Sequence, residues 1–362
     1  MHQTARRRTI ADVARAAGVS KAAVSFAFNS PDRLSAETVA RIRVVATELG
    51  YRPDPVARML AQRRTMTVGI LTPQSLDLMF PDPYFGALTA GIASAAEEAG
   101  YALQFISPLH GSLARAVHEA SVDGVIAVGL WPDHSEIGEI RRSGVPFVLV
   151  DAIGFANESN VTVDDETAAE AAAGHVIELG HRDIAIIAFA PPRPEDASDS
   201  DQPGAGDISA RRLAGYRRAV RAAGLGLSQD AIAWGPSEFE HGARAFRELV
   251  ARGTRFTAVL AMSDVLAIGA LRAARDLDWR VPEDLSIVGF DDIELASYVD
   301  PPLTTVHQSP RDKGETALRL LLGRLDRSSD GRPEHRHVET CLKVRGSTGP
   351  APRERQEVAR DE

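Results

Sequence analysis

The stretch Thr9–Asn29, "TIADVARAAGVSKAAVSFAFN", decides how the N-terminal part of the chain folds. Thr9 stands where a helix cap belongs, with Asp12 at the third helical position and Ile10, Val13, Ala14 and Ala17 recurring on one face. Gly18 stops that helix, and Ser20 caps a second one after a turn of only a few residues. Small Ala14 and branched Val24 fall where two steeply crossing helices must touch, which is helix-turn-helix spacing. A third helix, capped by Ser35, turns Val39, Ile42, Val45 and Leu49 inward and stops at Gly50.

On the second helix, about 100° of rotation per residue gathers Val24, Ala27 and Phe28 in a narrow, core-facing arc. Ala22, Ser25, Phe26 and Asn29 lie on the opposite side with Lys21 at the flank, and this face suits a DNA major groove. Phe26 cannot share a face with Phe28, two residues away. A phenylalanine neither donates nor accepts a hydrogen bond at a base edge. Phe26 therefore reads either as an apolar contact to a thymine methyl or pyrimidine edge, or as surface packing of the head itself. Hydrogen-bonded readout then falls to Lys21 and Asn29.

Charge agrees with this reading. The net charge of -9 is unevenly spread: residues 1–64 hold 12 Lys and Arg against 5 Asp and Glu, and the remainder 29 against 45. A basic head on an acidic body implies an anionic partner for the head, with Arg6, Arg7 and Arg8 among the groups that attract phosphate. In "YRPDPVARMLAQRR", Asp54 can cap and Pro55 can open a helix of about two turns, with Val56, Ala57 and Leu60 as an apolar stripe among arginines. Such a helix is marginal alone. It reads as a linker, or as a helix that folds against a twin and wedges Leu60 between base steps.

At 362 residues, 44% hydrophobic and 25% charged, the chain suits two or three ordinary globular domains. One cysteine, Cys341, excludes an internal disulfide and a cysteine-rich metal site, and fits a reducing cytoplasm. "RRR" is interrupted by Asp12 and Arg15 before any signal-peptide core, and no apolar run approaches the ~20 residues that cross a bilayer. A cytoplasmic protein without a membrane partner is expected.

From Thr67 the pattern becomes apolar runs alternating with helical stretches: "TVGILTP", "ALQFIS", "GVIAVGL", "PFVLVD", "DIAIIAFA", "TAVLAMSD" and "LSIVGFDD". Buried parallel strands alternating with helices mean doubly wound α/β layers, and the number of strands implies two subdomains with a cleft at the strand carboxyl ends. Phosphate-loop, dinucleotide, zinc-protease and nucleophile-elbow motifs are absent, so no catalytic residue, metal or cofactor is assigned. His335 and His337 read as solvent-facing strand residues. The acid pairs Asp164/Asp165 and Asp291/Asp292 read as strand-end groups that bind polyols or cap helices. A transport receptor would need an export signal and an enzyme an assignable base and nucleophile, so a sugar-binding protein or sugar enzyme without a DNA role is the weaker alternative.

The segments "TIADVARAAGVSKAAVS", "ETVARIRVVATELGYRPDPVARML", "VDDETAAEAAAGHVIELGHRDIAII", "RRLAGYRRAV", "SDVLAIGALRAARDLDWRVPEDLSIVGFDD" and "PPLTTVHQ" are similar, in order, to the lactose/galactose repressor family of bacterial transcription regulators. The resemblance implies an N-terminal all-α helix-turn-helix domain (1–52), a hinge helix and linker (53–64), and an effector-binding and dimerisation core (65–346). That core would be α/β, two doubly wound parallel-sheet subdomains like periplasmic binding proteins. The N-subdomain is expected at about 65–164 and 294–326, the C-subdomain at about 165–293 and 327–346, and a disordered tail at 347–362.

It further implies a ligand-responsive repressor of sugar-utilisation genes, a homodimer on palindromic double-stranded operator DNA. DNA contact would fall to Thr9, Ser20, Lys21, Ala22, Ala23, Ser25, Phe26, Asn29, Tyr51, Arg58 and Leu60, and hinge pairing to Val56 and Ala57. Tyr84, Phe85, Asp151, Arg212, Ser237, Asp264 and Asp291 would meet a small-molecule effector, a sugar or sugar derivative. Two features depart from the family pattern. The acidic loop Pro191–Ala210 is long and reads either as a segment that folds over the effector or as a mobile, inert one, the second being expected; Ser237 stands where some relatives place an aromatic ring, which argues against purine-like stacking. The tail lacks apolar heptads, so a dimer rather than a tetramer is expected.

Overall fold

The computed structural model describes residues 8–52, 64–130, 134, 136–154, 157–189, 208–326 and 332–352. The chain divides into two compact units, Met1–Met66 and Thr67–Glu362.

In the first unit, α1 (Ile10–Ala17), α2 (Lys21–Asn29) and α3 (Ala36–Glu48) follow one another. The Thr9 backbone N–H and hydroxyl both donate to the Asp12 carboxylate, at 3.0 and 2.9 Å, which ties down the first turn of α1. Gly18, at φ 65°, takes the left-handed conformation that ends α1. The Ser20 hydroxyl accepts from Ala23 N–H at 3.0 Å, and that of Ser35 from Thr38 N–H at 3.3 Å. Val13, Ala14, Ala17, Val24, Ala27, Ile42 and Ala46 are buried together as a small core, with Ile10, Phe28, Leu49 and Tyr51 packed around it. Phe28 lies 6.0 Å from the Tyr51 ring, so it is the inward ring of the pair. Val56, Ala57, Arg58 and Leu60 lie outside the described residues.

The second unit begins with β1 (Thr67–Leu71), α4 (Leu76–Met79), α5 (Pro83–Ala99), β2 (Ala102–Ile106), α6 (Leu113–Glu119) and β3 (Gly124–Val128). Next come α7 (Ile137–Arg142), β4 (Phe147–Val150), β5 (Ser159–Thr162), α8 (Asp165–Glu178) and β6 (Ile184–Phe189). Then follow α9 (Ile208–Ala222), β7 (Ile232–Gly235), α10 (Phe239–Ala251), β8 (Ala258–Ala261), α11 (Asp264–Asp276) and β9 (Ser286–Asp291). The unit ends with β10 (Thr304–His307), α12 (Pro310–Leu325), β11 (His335–His337) and β12 (Cys341–Lys343).

These strands form two six-stranded sheets, ordered β11-β5-β4-β3-β1-β2 and β12-β10-β9-β8-β6-β7. Every pairing is parallel except β10 with β12. Side chains alternate across each sheet. In the first sheet Val68, Ile70, Ile126, Val148 and Val150 pack against Leu88 and Ile92 of α5 and Leu318 and Leu321 of α12, while Leu71, Val125, Ala127 and Leu149 pack on Leu113 and Ile140 opposite. The second sheet is covered likewise by α8 and α9 on one face and α10 and α11 on the other. The central strands of both sheets are thus covered on both faces, which is why they read as unbroken apolar runs.

The chain passes between the sheets three times: after β5, between β10 and α12, and between β11 and β12. This redraws the expected subdomains. Residues 294–307, expected with the first sheet, supply β10 to the second, because β10 pairs with β9. His335–His337, expected with the second, pair with β5 of the first, where they are exposed. The expected disordered tail starts too early. Ser347 is fully buried, its hydroxyl accepting from Thr304 N–H at 2.8 Å and donating to Ile287 O at 2.6 Å. The acidic loop is also shorter than read from the sequence, since Ile208–Ala210 already belong to α9 and Ser209 is buried; residues 190–207 lie outside the described residues.

Candidate functional site

The carboxyl ends of β4 and β9 bring buried polar groups together at the junction of the two sheets. Asp151 follows β4 directly, and Asp291 ends β9 with Asp292 next to it. Asp151 and Asp292 adopt φ 59° and 57°, a left-handed conformation that aspartate tolerates better than most residues. On the first-sheet side, Lys313 of α12 is completely buried. Its ammonium donates to Asp151 Oδ1 at 2.6 Å, to Tyr84 Oη at 2.9 Å and to Gln308 Oε1, which engages all three of its N–H groups. The Tyr84 hydroxyl in turn donates to Asp151 Oδ2. Burial, followed by the neighbouring Asp151 charge, raises the Tyr84 phenol well above its ordinary range.

On the second-sheet side, Arg212 of α9 is buried with its guanidinium 3.5 Å from the Phe290 ring centroid. Its Nε donates to Asp165 Oδ1 at 2.9 Å and its Nη1 to Met262 O, with Asp291 Oδ1 3.7 Å from Nη1. Arg211 adds a 2.7 Å bond to Asp165 Oδ2. Burial would raise the Asp165 carboxyl, but Arg212 and Arg211 outweigh it and hold the group below its usual range. Asp291 goes the other way: burial pushes it well up against the opposing charge of Arg212, and the charge of Asp264 adds to the rise.

Gln308 joins the halves. Its carbonyl accepts from Lys313 and its amide donates to Asp291 Oδ1, so a continuous polar chain runs Asp151–Lys313–Gln308–Asp291–Arg212–Asp165 across the junction. Two cavities border it. One, about 520 Å³, is lined by Pro83, Gly86, Asp292, Leu295, Tyr298 and Pro310; the other, about 490 Å³, by Asp164, Asp165, Arg211, His337 and their neighbours. Of the polar chain only Asp165 lines either cavity; its other members are buried against one another.

The structure brings Tyr84, Asp151, Arg212 and Asp291 together through this polar chain. Ser237 stands apart from this chain on the loop after β7, its hydroxyl 2.9 Å from that of Ser263. Two expected contacts are corrected. Phe85 is 1% exposed and packs beside Phe80 and Phe105 in the first-sheet core, because its helical neighbour Tyr84 takes the direction of the junction. Asp264 is fully buried, its carboxylate accepting from Thr305 Oγ1 and from Ile293 N–H at 2.9 Å; it anchors the turn after β9 instead of meeting a ligand. Lys313 and Gln308 were not read from the sequence. The signal was present: Lys313, Ala317 and Leu321 sit at helical spacing and are all buried, and a lysine inside such a stripe demands a buried partner.

On the head, Lys21 and Ala22 are exposed and Phe26 is half-buried on α2. Thr9 and Ser20 use their hydroxyls in caps, Ala23 packs on the head core, and Tyr51 packs on Phe28. Asn29 Nδ2 donates to Ser25 Oγ at 3.3 Å, while Asn29 Oδ1 is buried without a partner among the described residues.

Comparison with known proteins adds an independent line. Residues 9–54 match the family of bacterial regulatory proteins called the lacI family, and residues 173–348 match a periplasmic binding protein-like domain. The HTH-type transcriptional regulator CelR of Thermobifida fusca is 34% identical over 351 residues, covering 94% of this chain and 98% of that protein. The structure of a CelR–cellobiose complex superposes with a TM-score of 0.68 at 31% identity, over 94% of this chain and all of the other. A lac repressor dimer bound to operator and an anti-inducer superposes with a TM-score of 0.79 at 26% identity, over 95% of this chain and all of the other. These relatives are regulators of transcription, not enzymes. Among the described residues no helix is long and apolar enough to cross a membrane. Head, sheets and relatives agree along nearly the whole length, and the chain belongs to the LacI family of bacterial transcriptional regulators.

Proposed function

We propose that this regulator is a homodimeric repressor that binds a palindromic operator and responds to an uncharged sugar held at the junction of its two sheets. The polar chain Asp151–Lys313–Gln308–Asp291–Arg212 carries this reading. It contains carboxylates, an amide and a guanidinium suited to hydroxyls, with the Tyr84 ring beside them, and it spans both halves of the core. Sugar hydroxyls that exchange with bonds of this chain alter the restraint between the sheets, and operator affinity changes with them. By linkage the operator alters sugar affinity by the same factor. The lac repressor dimer on its operator and the cellobiose complex of CelR support the dimer and the ligand class.

Selection of bound DNA from a random pool, repeated in the presence of cellobiose, ribose and other neutral sugars, tests the proposal. A palindromic consensus whose retention changes with one sugar is expected, with the complex sedimenting as a dimer on one site. A non-palindromic consensus, a stable tetramer, or retention indifferent to every sugar while the Asp151→Asn variant behaves like the parent would refute it.

A further inference from the structure

Phe26 lies on the outer side of α2, the helix whose spacing places it in the major groove, yet its ring has no hydrogen-bonding capacity. The ring has a charged neighbour. The guanidinium carbon of Arg33 lies 5.2 Å from the Phe26 ring centroid. Arg33 closes a single 3-10 turn, Pro31–Arg33, whose backbone is held by Arg33 N–H to Ser30 O at 3.1 Å and Leu34 N–H to Pro31 O at 3.0 Å. Leu34 packs on the head core and Ser35 caps α3, so the side chain of Arg33 starts from a fixed point. Arg33 is exposed and forms no ion pair among the described residues.

From this pairing we infer that Phe26 and Arg33 act as one recognition unit. The aromatic ring serves as a platform for the guanidinium, and Arg33, seven residues further along, reads a guanine that Phe26 cannot. Three physical points support the assignment. A guanidinium with one face against a ring keeps its edge free, and that edge carries the N–H fork that matches guanine O6 and N7. Stacking against the ring restricts a side chain that would otherwise lose much rotamer freedom on binding. Finally, a cation seated on Phe26 shares the surface of Phe26, so whatever α2 presents to DNA includes Arg33. Phe26 is then a positioning residue and Arg33 the specificity-determining one.

The test uses the full-length protein and DNA selected from a random pool, comparing the parent with Arg33→Ala, Arg33→Lys, Phe26→Leu and Phe26→Tyr. The parent should retain a guanine at one operator position. Arg33→Ala and Phe26→Leu should both relax that same position, each losing roughly 5- to 150-fold on the guanine-bearing site. The double variant Phe26→Leu/Arg33→Ala should lose no more than the worse single one, and Phe26→Tyr, which keeps the ring, should retain the preference. Arg33→Lys keeps the charge but not the fork and should also relax it. Uniform weakening across all sequences with a shallower salt dependence would make Arg33 a phosphate contact and overturn the inference, as would a position relaxed by Arg33→Ala but left intact by Phe26→Leu. Thermal unfolding of each variant separates a lost platform from a lost fold: a variant that melts with the parent yet changes preference supports the unit, and if Phe26→Tyr is stable but non-selective the unit is refuted.

Discussion

Replacing Lys313 by methionine tests the junction most directly, because it keeps the length and packing volume of the side chain and removes only the ammonium. In the parent this group is completely buried and is bonded to Asp151, Tyr84 and Gln308. Its removal leaves Asp151, 9% exposed, with Tyr84 as its one remaining side-chain donor among the described residues. Breaking a buried pair from one side costs about 3–5 kcal/mol, since the surviving charge stays desolvated. For a unit of this size, Thr67–Glu362, that corresponds to a fall in melting temperature of about 5–8 °C. Removing the second charge as well, in Lys313→Met/Asp151→Leu, takes away the stranded carboxylate and should bring stability back to within about 2 kcal/mol of the parent, the residue being the bonds lost by Tyr84 and Gln308. Urea unfolding of the three proteins at neutral pH supplies the comparison. A Lys313→Met protein as stable as the parent, or a double variant no better than the single one, would show that the pair is not the buried unit described here.

Two further outcomes follow from other parts of the core. Truncation after Gly346 should destabilise the core by about 3–5 kcal/mol in urea unfolding, because Ser347 and Gly349 together satisfy Thr304 N–H, Ile287 and Ser286; an unchanged midpoint would mean that this segment is not docked in solution. Asp264 is pushed by burial to about 6. The folded state therefore binds this proton more tightly than the unfolded chain, and the group costs stability progressively as pH rises from about 4 through 6. Asp264→Asn lacks that proton equilibrium, so the stability of the parent relative to the variant should be greater at pH 4.5 than at pH 7; a difference independent of pH would contradict the assignment.

The head was legible because its determinants are local. Caps at Thr9, Ser20 and Ser35, the stop at Gly18 and the 3.6-residue recurrence of Val13, Ala14 and Ala17 act within one or two turns. Most of the apolar runs were legible for a related reason, since strands covered on both faces must be apolar throughout. β5, with sequence "SNVT", and the edge strands β11 and β12 carry no such signal, because Ser, Asn and exposed polar positions mark loops equally well. Phe85 and Asp264 illustrate the same limit at the site. Each was placed by its neighbourhood in the chain, and one step of helical rotation or one hydrogen bond to Thr305 decided otherwise.

By itself the sequence determined a basic helix-turn-helix head, an acidic doubly wound core and the residue types of a hydroxyl-binding site, all of which rest on periodicity, capping and charge within short windows. Only the tertiary structure decided which segments complete which sheet, that Lys313 and Gln308 link the two halves of the site, and that Arg33 sits on Phe26. The first two depend on contacts between residues more than a hundred positions apart along the chain, or across a point where it changes sheets. The third depends on a turn that folds the chain back on α2. Sequence spacing constrains none of these distances, whereas packing and the need to pair every buried charge do.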